Sequence, residues 1–482
     1  MDTLLSIATH LWPTVTPVPS KLWALTATEV LSPIKEDRFT VEDYAKSLLT
    51  RIESRNGLVK AWQYLDRDLV MKEARALDKV PRDQRGPLHG VAIAIKDIMD
   101  TKDMPTEYGS SLYSGNRPNA DASLVAIFRR ARALIVGKTT TTEFIVLNSG
   151  PDTTNPHNPE RTPGGSSAGS AAAVADFQVP LSFGTQTGGS VIRPASYTGT
   201  YAMKPTFNVI SGGGIKVASL EFDTIGYFAR TLDDLKLITG VLSVMTEEPV
   251  EEIPLKETKV GFVKSPFWPS AGPGTIAAMQ KAAEILRSHG VTVEEVEFPD
   301  EFNDATTLDR MFKIVFVTNG GVSFYNDYLM DTTKTNLDPD VRAFVEGAPK
   351  YPREQVRQAL DYYMALRPVF DGLAPNYSVL ITPSATDEAP LGLGDMGSLC
   401  FNSVWTAAHM PVIHVPAFAG PNDMPVGLSL IARRYCDQYL LNITRILSEP
   451  LMREGIGSRN WITQKLNYHW ILERKSTIGH TY

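Results

Sequence analysis

The sequence predicts an α/β protein. Short runs rich in Val and Ile alternate with longer amphipathic segments, the pattern of strands separated by helices. The 482 residues, 43% hydrophobic and 21% charged, exceed one ordinary domain in length. A large α/β enzyme nevertheless folds as a single unit, and this composition is that of a folded globular chain.

The elements follow in order. Thr26 with Glu29 reads as a capping box opening a helix. Thr40 with Asp43 opens a second, Val41–Asn56, with Ala45, Leu48, Leu49 and Ile52 on one face. Residues 66–79 read as a third helix. The apolar run Val91-Ala-Ile-Ala-Ile95 reads as a strand buried on both faces and ends at Lys96. Ala122–Ala131 reads as a helix and Ala133–Val136 as a strand. Asn148–Pro163 is a polar loop holding four prolines. Ser170–Asp176 is Ala-rich and helical, and Val179–Phe183 is a strand. Leu232–Val241 and Thr275–His289 are helices, and Lys259–Val263 and Val291–Val296 are strands. Residues 300–375 are mostly helical and carry Phe302, Phe312, Phe316, Phe324, Tyr325 and Tyr328. Those aromatics fit a helical core layer or an acyl-binding wall.

Two Gly-flanked serines stand out. Ser166 lies in Gly164-Gly-Ser-Ser-Ala-Gly-Ser170 and Ser190 ends Gly184-Thr-Gln-Thr-Gly-Gly-Ser190, 24 positions later. Both lie on connections between buried elements. Flanking glycines let the backbone bend tightly and leave N–H groups free to face a ligand. A serine on such a turn can attack a carbonyl, and free N–H groups can hold the oxyanion that forms. The serine first needs a base.

Histidine is the usual base, but the chain has only 8 and none lies among these serines. His157, in a turn-rich loop, reads as a solvated surface residue. Lys96 has two readings, a strand-end lysine reaching into solvent or a desolvated amine. Burial disfavours the ammonium, and carrying a lysine from about 10.4 to neutrality near pH 7 takes roughly 4 kcal/mol. If the strand continues, Asp97 points to the opposite face and does not hold Lys96 charged.

The order and wording of these blocks resemble the amidase signature family, which includes fatty acid amide hydrolase, malonamidase and the A subunit of tRNA-dependent amidotransferases. The matching text is Gly86–Asp97, Ile135–Thr139 with Glu143-Phe144, Asn155-Pro156 through Arg161–Ser170, Val179–Ser190 and Lys204–Thr206. It resumes at Val379–Pro383, Phe401-Asn402 through Trp405-Thr406, Met410–Ala417, Pro425–Leu430 and Arg433-Arg434.

The resemblance implies one large amidase-signature-like domain, a mixed central β-sheet covered by helices on both faces. It spans residues 26–447, after an N-terminal extension (1–25) and before a C-terminal tail of unclear structure (448–482). It implies a Ser-Ser-Lys triad. Ser190 is then the nucleophile, Ser166 the bridging serine held by a cis peptide bond, and Lys96 the base acting through Ser166. The N–H groups of Thr187, Gly188, Gly189 and Ser190 form the oxyanion hole. The activity implied is hydrolysis of a C–N amide bond through an acyl-enzyme, with ester cleavage as an extension and no cofactor or metal. Three departures are visible. Gln186 stands where the family often has Asp, Ala168 where it has Gly, and Thr198 where Cys is frequent. Arg193 reads as a salt-bridged structural arginine rather than a substrate contact.

Composition bounds the partners. A net charge of −7 argues against non-specific nucleic-acid binding. Two cysteines, Cys400 and Cys436, make no disulfide framework and fit a reducing, cytoplasmic compartment. Residues 1–24 lack the positive start of a signal peptide, and no apolar run is long enough to span a membrane. The expected partner is a small-molecule amide, with a homodimer left open.

Other readings compete. Gly165-Ser-Ser-Ala-Gly169 fits a nucleophile elbow with Ser167 as nucleophile, but the Pro-containing stretch before it cannot be a central strand. A catalytically silent subunit, or an amidotransferase subunit passing ammonia to a partner, keeps the same fold.

Overall fold

Eleven strands among the described residues form one mixed sheet. They are β1 (Trp62–Leu65), β2 (Ala92–Lys96), β3 (Leu134–Thr139), β4 (Leu181–Gln186), β5 (Tyr201–Lys204), β6 (Thr224–Ala229), β7 (Lys259–Val263), β8 (Thr292–Val296), β9 (Val379–Pro383), β10 (Val412–Ala419) and β11 (Pro425–Ile431). The computed structural model describes residues 21–146, 150–244 and 253–455. The N-terminal residues 1–20, Asn148 at the start of the polar loop, and Trp461, Tyr468 and Trp470 of the tail lie outside them.

The strand order is β1-β3-β2-β4-β6-β5-β10-β11-β9-β7-β8. Parallel trios, β3-β2-β4 and β9-β7-β8, stand on either side of the antiparallel run β4-β6-β5-β10-β11-β9. Strand β1 pairs antiparallel with β3 at one edge.

Helices cover both faces. Along the chain they are α1 (Ala27–Lys35), α2 (Val41–Val59), α3 (Arg67–Asp78), α4 (Ser123–Arg130), α5 (Ala168–Ala175), α6 (Ile192–Thr198), α7 (Leu232–Val241), α8 (Pro273–Ser288), α9 (Ala305–Ser323), α10 (Tyr325–Met330), α11 (Pro339–Gly347), α12 (Arg353–Leu373), α13 (Cys400–Ala407) and α14 (Asp437–Gly455). One apolar cluster joins Ile93, Ile95, Leu181 and Phe183 to Leu124 and Phe128 of α4, with α7, α8 and α14 further along. A second joins Ala92, Ala94, Leu134 and Val136 to α2, α5, α6, α12 and α13.

The alternation in β2 explains its setting. Successive side chains of a strand point to opposite faces. Ile93 and Ile95 therefore fill one layer, and Ala92 and Ala94 leave a shallow surface on the other. Against that surface lies α5, whose eight residues are all buried and mostly Ala or Gly. Gly169 lets it approach: a Cβ there would stand 2.2 Å from the Ala61 carbonyl oxygen. Lys96 has the parity of Ala92 and Ala94, so it belongs to the α5 side.

The expected capping boxes form. Thr26 Oγ1 accepts from Glu29 N (3.2 Å), and Glu29 Oε2 accepts from Thr26 N (2.9 Å). Thr40 and Asp43 make the same reciprocal pair on α2. Helix α2 runs beyond Asn56 to Val59, where Lys60 turns left-handed (φ 52°) and ends it. Strand β4 continues past Phe183 to Gln186, because its pairing with β6 extends to Gln186 opposite Thr224. Residues 300–375 are mostly helical, as α9–α12. Phe302, Phe312 and Phe324 are buried there, and Tyr325 is 55% exposed. Helix α14 continues through residues 448–455 with Leu451 buried.

Helix α5 is tied to α2 by charge. The Asp176 carboxylate, fully buried at the end of α5, lies 3.0 Å from Arg55 Nη2 and 3.4 Å from Arg51 Nη2. Removing one partner of a buried pair leaves an uncompensated charge, at a cost of about 3–5 kcal/mol. Asp176→Ala is expected to lower the unfolding free energy by that amount, read as the urea midpoint. A loss below about 1 kcal/mol, the range of exposed pairs, would show the cluster contributes little.

Candidate active site

The Lys96 amine ends in a ring of hydroxyls. Its Nζ lies 2.8 Å from Ser166 Oγ, 3.0 Å from Ser167 Oγ and 3.2 Å from Thr185 Oγ1. The room comes from Gly184, where a Cβ would stand 2.5 Å from Ser167 Oγ. Lys96 is fully buried, so the solvent-reaching alternative does not apply. Asp97 turns away and pairs with Lys138 (3.2 Å) while accepting from Glu107 N (3.0 Å). Burial therefore holds the Lys96 pKa well below the usual lysine range, opposed only in part by the charge of Asp223.

The first serine turn is built tightly. The Gly165–Ser166 peptide is cis and Gly164 has φ +78°. Arg193 Nη2 donates to the Gly165 carbonyl (2.8 Å), and Gly164 N donates to Thr162 Oγ1 (3.0 Å). Ser166 is 1% exposed. Ser167 is fully buried as the residue before α5, and its hydroxyl donates to the Thr185 carbonyl (3.3 Å).

The second turn leaves β4 at Gln186. That side chain replaces a charge with geometry. Its Oε1 accepts from Val191 N and Ile192 N, both at 2.9 Å, and its Nε2 donates to Thr406 Oγ1 (3.0 Å). Thr406 Oγ1 in turn contacts the Gly188 carbonyl at 2.8 Å. Among the described residues, the N–H groups of Thr187, Gly188, Gly189 and Ser190 donate to no protein acceptor. The Ser190 hydroxyl likewise has no protein partner there, and at 9% exposure it is the most accessible of the three serines. Lys96 and Ser166 are thus brought together directly. Ser190 stands on the adjoining turn with its hydroxyl uncommitted.

Apolar side chains crowd the turn. A Cβ on Gly188 would stand 2.9 Å from Leu399 Cδ2 and 3.4 Å from Phe312 Cζ, and one on Gly165 would meet Met396 Sδ. A separate surface cavity of about 900 Å³, lined in part by Ser110, Glu143, Lys334 and Arg342, includes neither Lys96 nor the serines. Among the described residues, no group of three or more His, Cys, Asp or Glu side chains could hold a metal ion. No helix there is long and apolar enough to cross a membrane.

The amidase family model matches residues 43–441. The chain belongs to the amidase signature family. The A subunit of a glutamyl-tRNA(Gln) amidotransferase from Carboxydothermus hydrogenoformans is 34% identical over 482 aligned residues, covering 89% of this chain and 98% of the relative. The crystal structure of an amidase superposes with a TM-score of 0.79 at 25% identity, over 88% of this chain and 98% of the other. Fatty acid amide hydrolase shares the fold, with a TM-score of 0.81 at 20% identity over 90% and 87% of the two chains.

Within this amidase-family fold, two expectations need correction. Arg193 is structural, but its guanidinium bonds the carbonyls of Gly165 and Gly397 rather than a carboxylate. The two turns it joins present these carbonyls to its N–H groups. His157 is half-buried, with its Nε2 2.8 Å from the Thr198 carbonyl, instead of solvated. The Asn155 side chain draws it in by accepting from His157 N (3.0 Å). The elbow geometry around Ser167 is absent, since no strand immediately precedes it.

Thr185, Thr406 and Asp223 join the site without being singled out by the sequence. Thr185 lies in full view inside the Gly-rich run. Thr406 lies in the matching block that ends at Trp405-Thr406, but its place at this turn arises only through folding, and no local pattern marks Asp223. Gln186→Leu is expected to orphan the Val191 and Ile192 N–H groups, each costing about 1–3 kcal/mol when left unpaired. The melting temperature should fall accordingly, and an unchanged one would remove Gln186 as the organiser of this turn.

Proposed function

We propose that this protein hydrolyses C–N amide bonds through a Ser-Ser-Lys relay, with an acyl-enzyme formed on Ser190. The observation that carries this reading is the buried Lys96 amine, 2.8 Å from Ser166 Oγ and free of any carboxylate hydrogen bond. A neutral amine there is a base. It takes the Ser166 proton as Ser166 takes that of Ser190, and Ser190 Oγ bonds to the amide carbon. The carbonyl oxygen becomes an anion facing the unpaired N–H groups of Thr187–Ser190. The C–N bond then breaks as the proton returns through the relay to the leaving nitrogen, which cannot depart as an amide anion. Water attacks the ester on Ser190, the same base takes its proton, and the acid leaves as Ser190 recovers its hydrogen.

The substrate in this reading is a small-molecule amide with an apolar acyl group, which Phe312, Leu399 and Met396 beside the turn would receive. Esters, with a better leaving group, follow the same path.

A second reading is an amidotransferase subunit that passes ammonia to a partner. It is favoured by the name of the 34% identical relative. Amide turnover by the isolated chain, unchanged by candidate partners and without a larger species in size exclusion, supports the first. Turnover confined to a complex supports the second.

A fluorophosphonate tests the nucleophile. Peptide mapping should place the label on Ser190, and Ser190→Ala should abolish both labelling and amide turnover. Labelling that survives in Ser190→Ala but vanishes in Ser167→Ala would overturn the assignment. Lys96 tests the base, because only its neutral form accepts a proton. The rate should rise with pH through the lowered Lys96 pKa and then level. Lys96→Ala should cost about 10²–10⁴-fold and abolish that rise. An unchanged pH profile would remove Lys96 from the role.

A further inference from the structure

We propose that Asp223 is a positioning residue for this site: its carboxylate fixes Thr187, and with it the Thr187–Ser190 turn, and supplies the negative charge facing Lys96 when that amine accepts a proton. The inference rests on the reading of Lys96 and Ser190 given above.

The placement follows from sheet register. Strands β4 and β6 are antiparallel, with Gly184 opposite Gly226 and Gln186 opposite Thr224. One step further puts Thr187 opposite Asp223, where Thr187 Oγ1 donates to Asp223 Oδ1 at 2.6 Å. Oδ2 accepts from Ala218 N at 2.7 Å. A carboxylate receiving such donors is held in one orientation, and charge-assisted bonds of this kind are about twice as strong as neutral ones. The Thr187 hydroxyl therefore anchors the first residue of the turn whose N–H groups are unpaired.

The same strand end carries the link to the amine. Thr185, two residues before Thr187, has its Oγ1 3.2 Å from Lys96 Nζ. Lys96 and Asp223 thus meet the two ends of one short segment, Lys96 at the Thr185 hydroxyl and Asp223 at the Thr187 hydroxyl. The groups facing Lys96 from each packed element are few. On β2, Asp97 is committed to Lys138. The start of α5 offers the Ser166 and Ser167 hydroxyls, and β4 offers Thr185. The segment before β6 offers Asp223, the opposite charge that acts on Lys96. Asp223 is half-buried and lines a cavity of about 130 Å³ with Thr206, Ser219 and Leu220; burial raises its carboxyl pKa, opposed by the hydrogen bonds from Thr187 and Ala218 and by the charge of Lys96.

The consequence concerns proton acceptance. Burial makes Lys96 a neutral base but also makes its ammonium costly. An anion nearby lowers that cost without a direct bond that would keep the amine charged at rest. Removing the anion makes Lys96 lose its proton at lower pH and become a weaker base.

The test uses the rate of fluorophosphonate labelling of Ser190 against pH, which needs no knowledge of the substrate. Asp223→Asn should slow labelling at least about tenfold and move the acid limb down by about 1 pH unit, the smaller end of the effect of a nearby opposite charge. Asp223→Glu should restore the limb. Thr187→Val should slow labelling with the limb in place, and Thr187→Ser should behave as the unaltered protein. A folded Asp223→Asn variant whose acid limb stays where it was overturns the proposal, whatever its rate. If Asp223→Asn does not fold, Thr187→Val decides, and an unchanged labelling rate there overturns it. The two readings fail differently. Label that persists in Ser190→Ala removes the nucleophile assignment and this proposal with it. Label dependent on Ser190 and Lys96 but indifferent to Asp223 removes this proposal alone.

Discussion

An amine sealed from water, with hydroxyls and no carboxylate in hydrogen-bonding reach, is the constraint on which this structure turns. Lys96 makes its contacts with Ser166, Ser167 and Thr185, and burial favours its neutral form. A lysine paired with a carboxylate would stay charged and could accept no proton. The adjacent Asp97 would be such a partner, but strand parity turns it toward Lys138 of the neighbouring strand β3, so that the two buried lysines have different neighbours. Lys138 has an anion beside it, and Lys96 has serines.

The surrounding architecture follows from making room for that amine. Ala92 and Ala94 keep the β2 surface shallow, the Ala-rich α5 packs on it, and Gly184 leaves space for Ser167. Arg51 and Arg55 hold the far end of α5 through Asp176. Arg193 braces the Gly165 carbonyl at its near end. On the other strand, Gln186 collects Val191 N, Ile192 N and Thr406, and leaves the N–H groups between them without protein acceptors. The neutral glutamine meets the backbone's need for acceptors and adds no second anion beside the amine.

The local features of this design are readable from the chain. Capping boxes at Thr26 and Thr40, the strand ending at Lys96 and the Gly-Gly-Ser turns depend on residues close in sequence, where turn chemistry and periodicity operate. The face assigned to Asp97 follows from alternation alone. Strands β5 and β6 are not legible in this way. Tyr201–Lys204 is only four residues long, and Thr224–Ala229 is interrupted by Gly226, whose missing Cβ admits the Met203 carbonyl. Asp223 is invisible for the same reason, since its meaning arises from the register of β4 with β6. Thr406 comes from the distant helix α13, and its contact with Gln186 is not readable from the matching block it ends. The aromatic segment shows this at Phe312, which stacks on Phe222 in the core and also stands beside Gly188.

Membership of the amidase family and the shared fold set the class of chemistry, while the protonation state of one side chain decides whether the proposed relay can run. The most direct measurement is an NMR titration of the Lys96 side chain in protein carrying ¹³Cε,¹⁵Nζ-labelled lysine, with the resonance assigned by its loss in Lys96→Met. Lys96 should lose its proton well below the ordinary lysine range of about 10.4. A Lys96 resonance that stays protonated until about pH 10, together with the surface lysines, would contradict it.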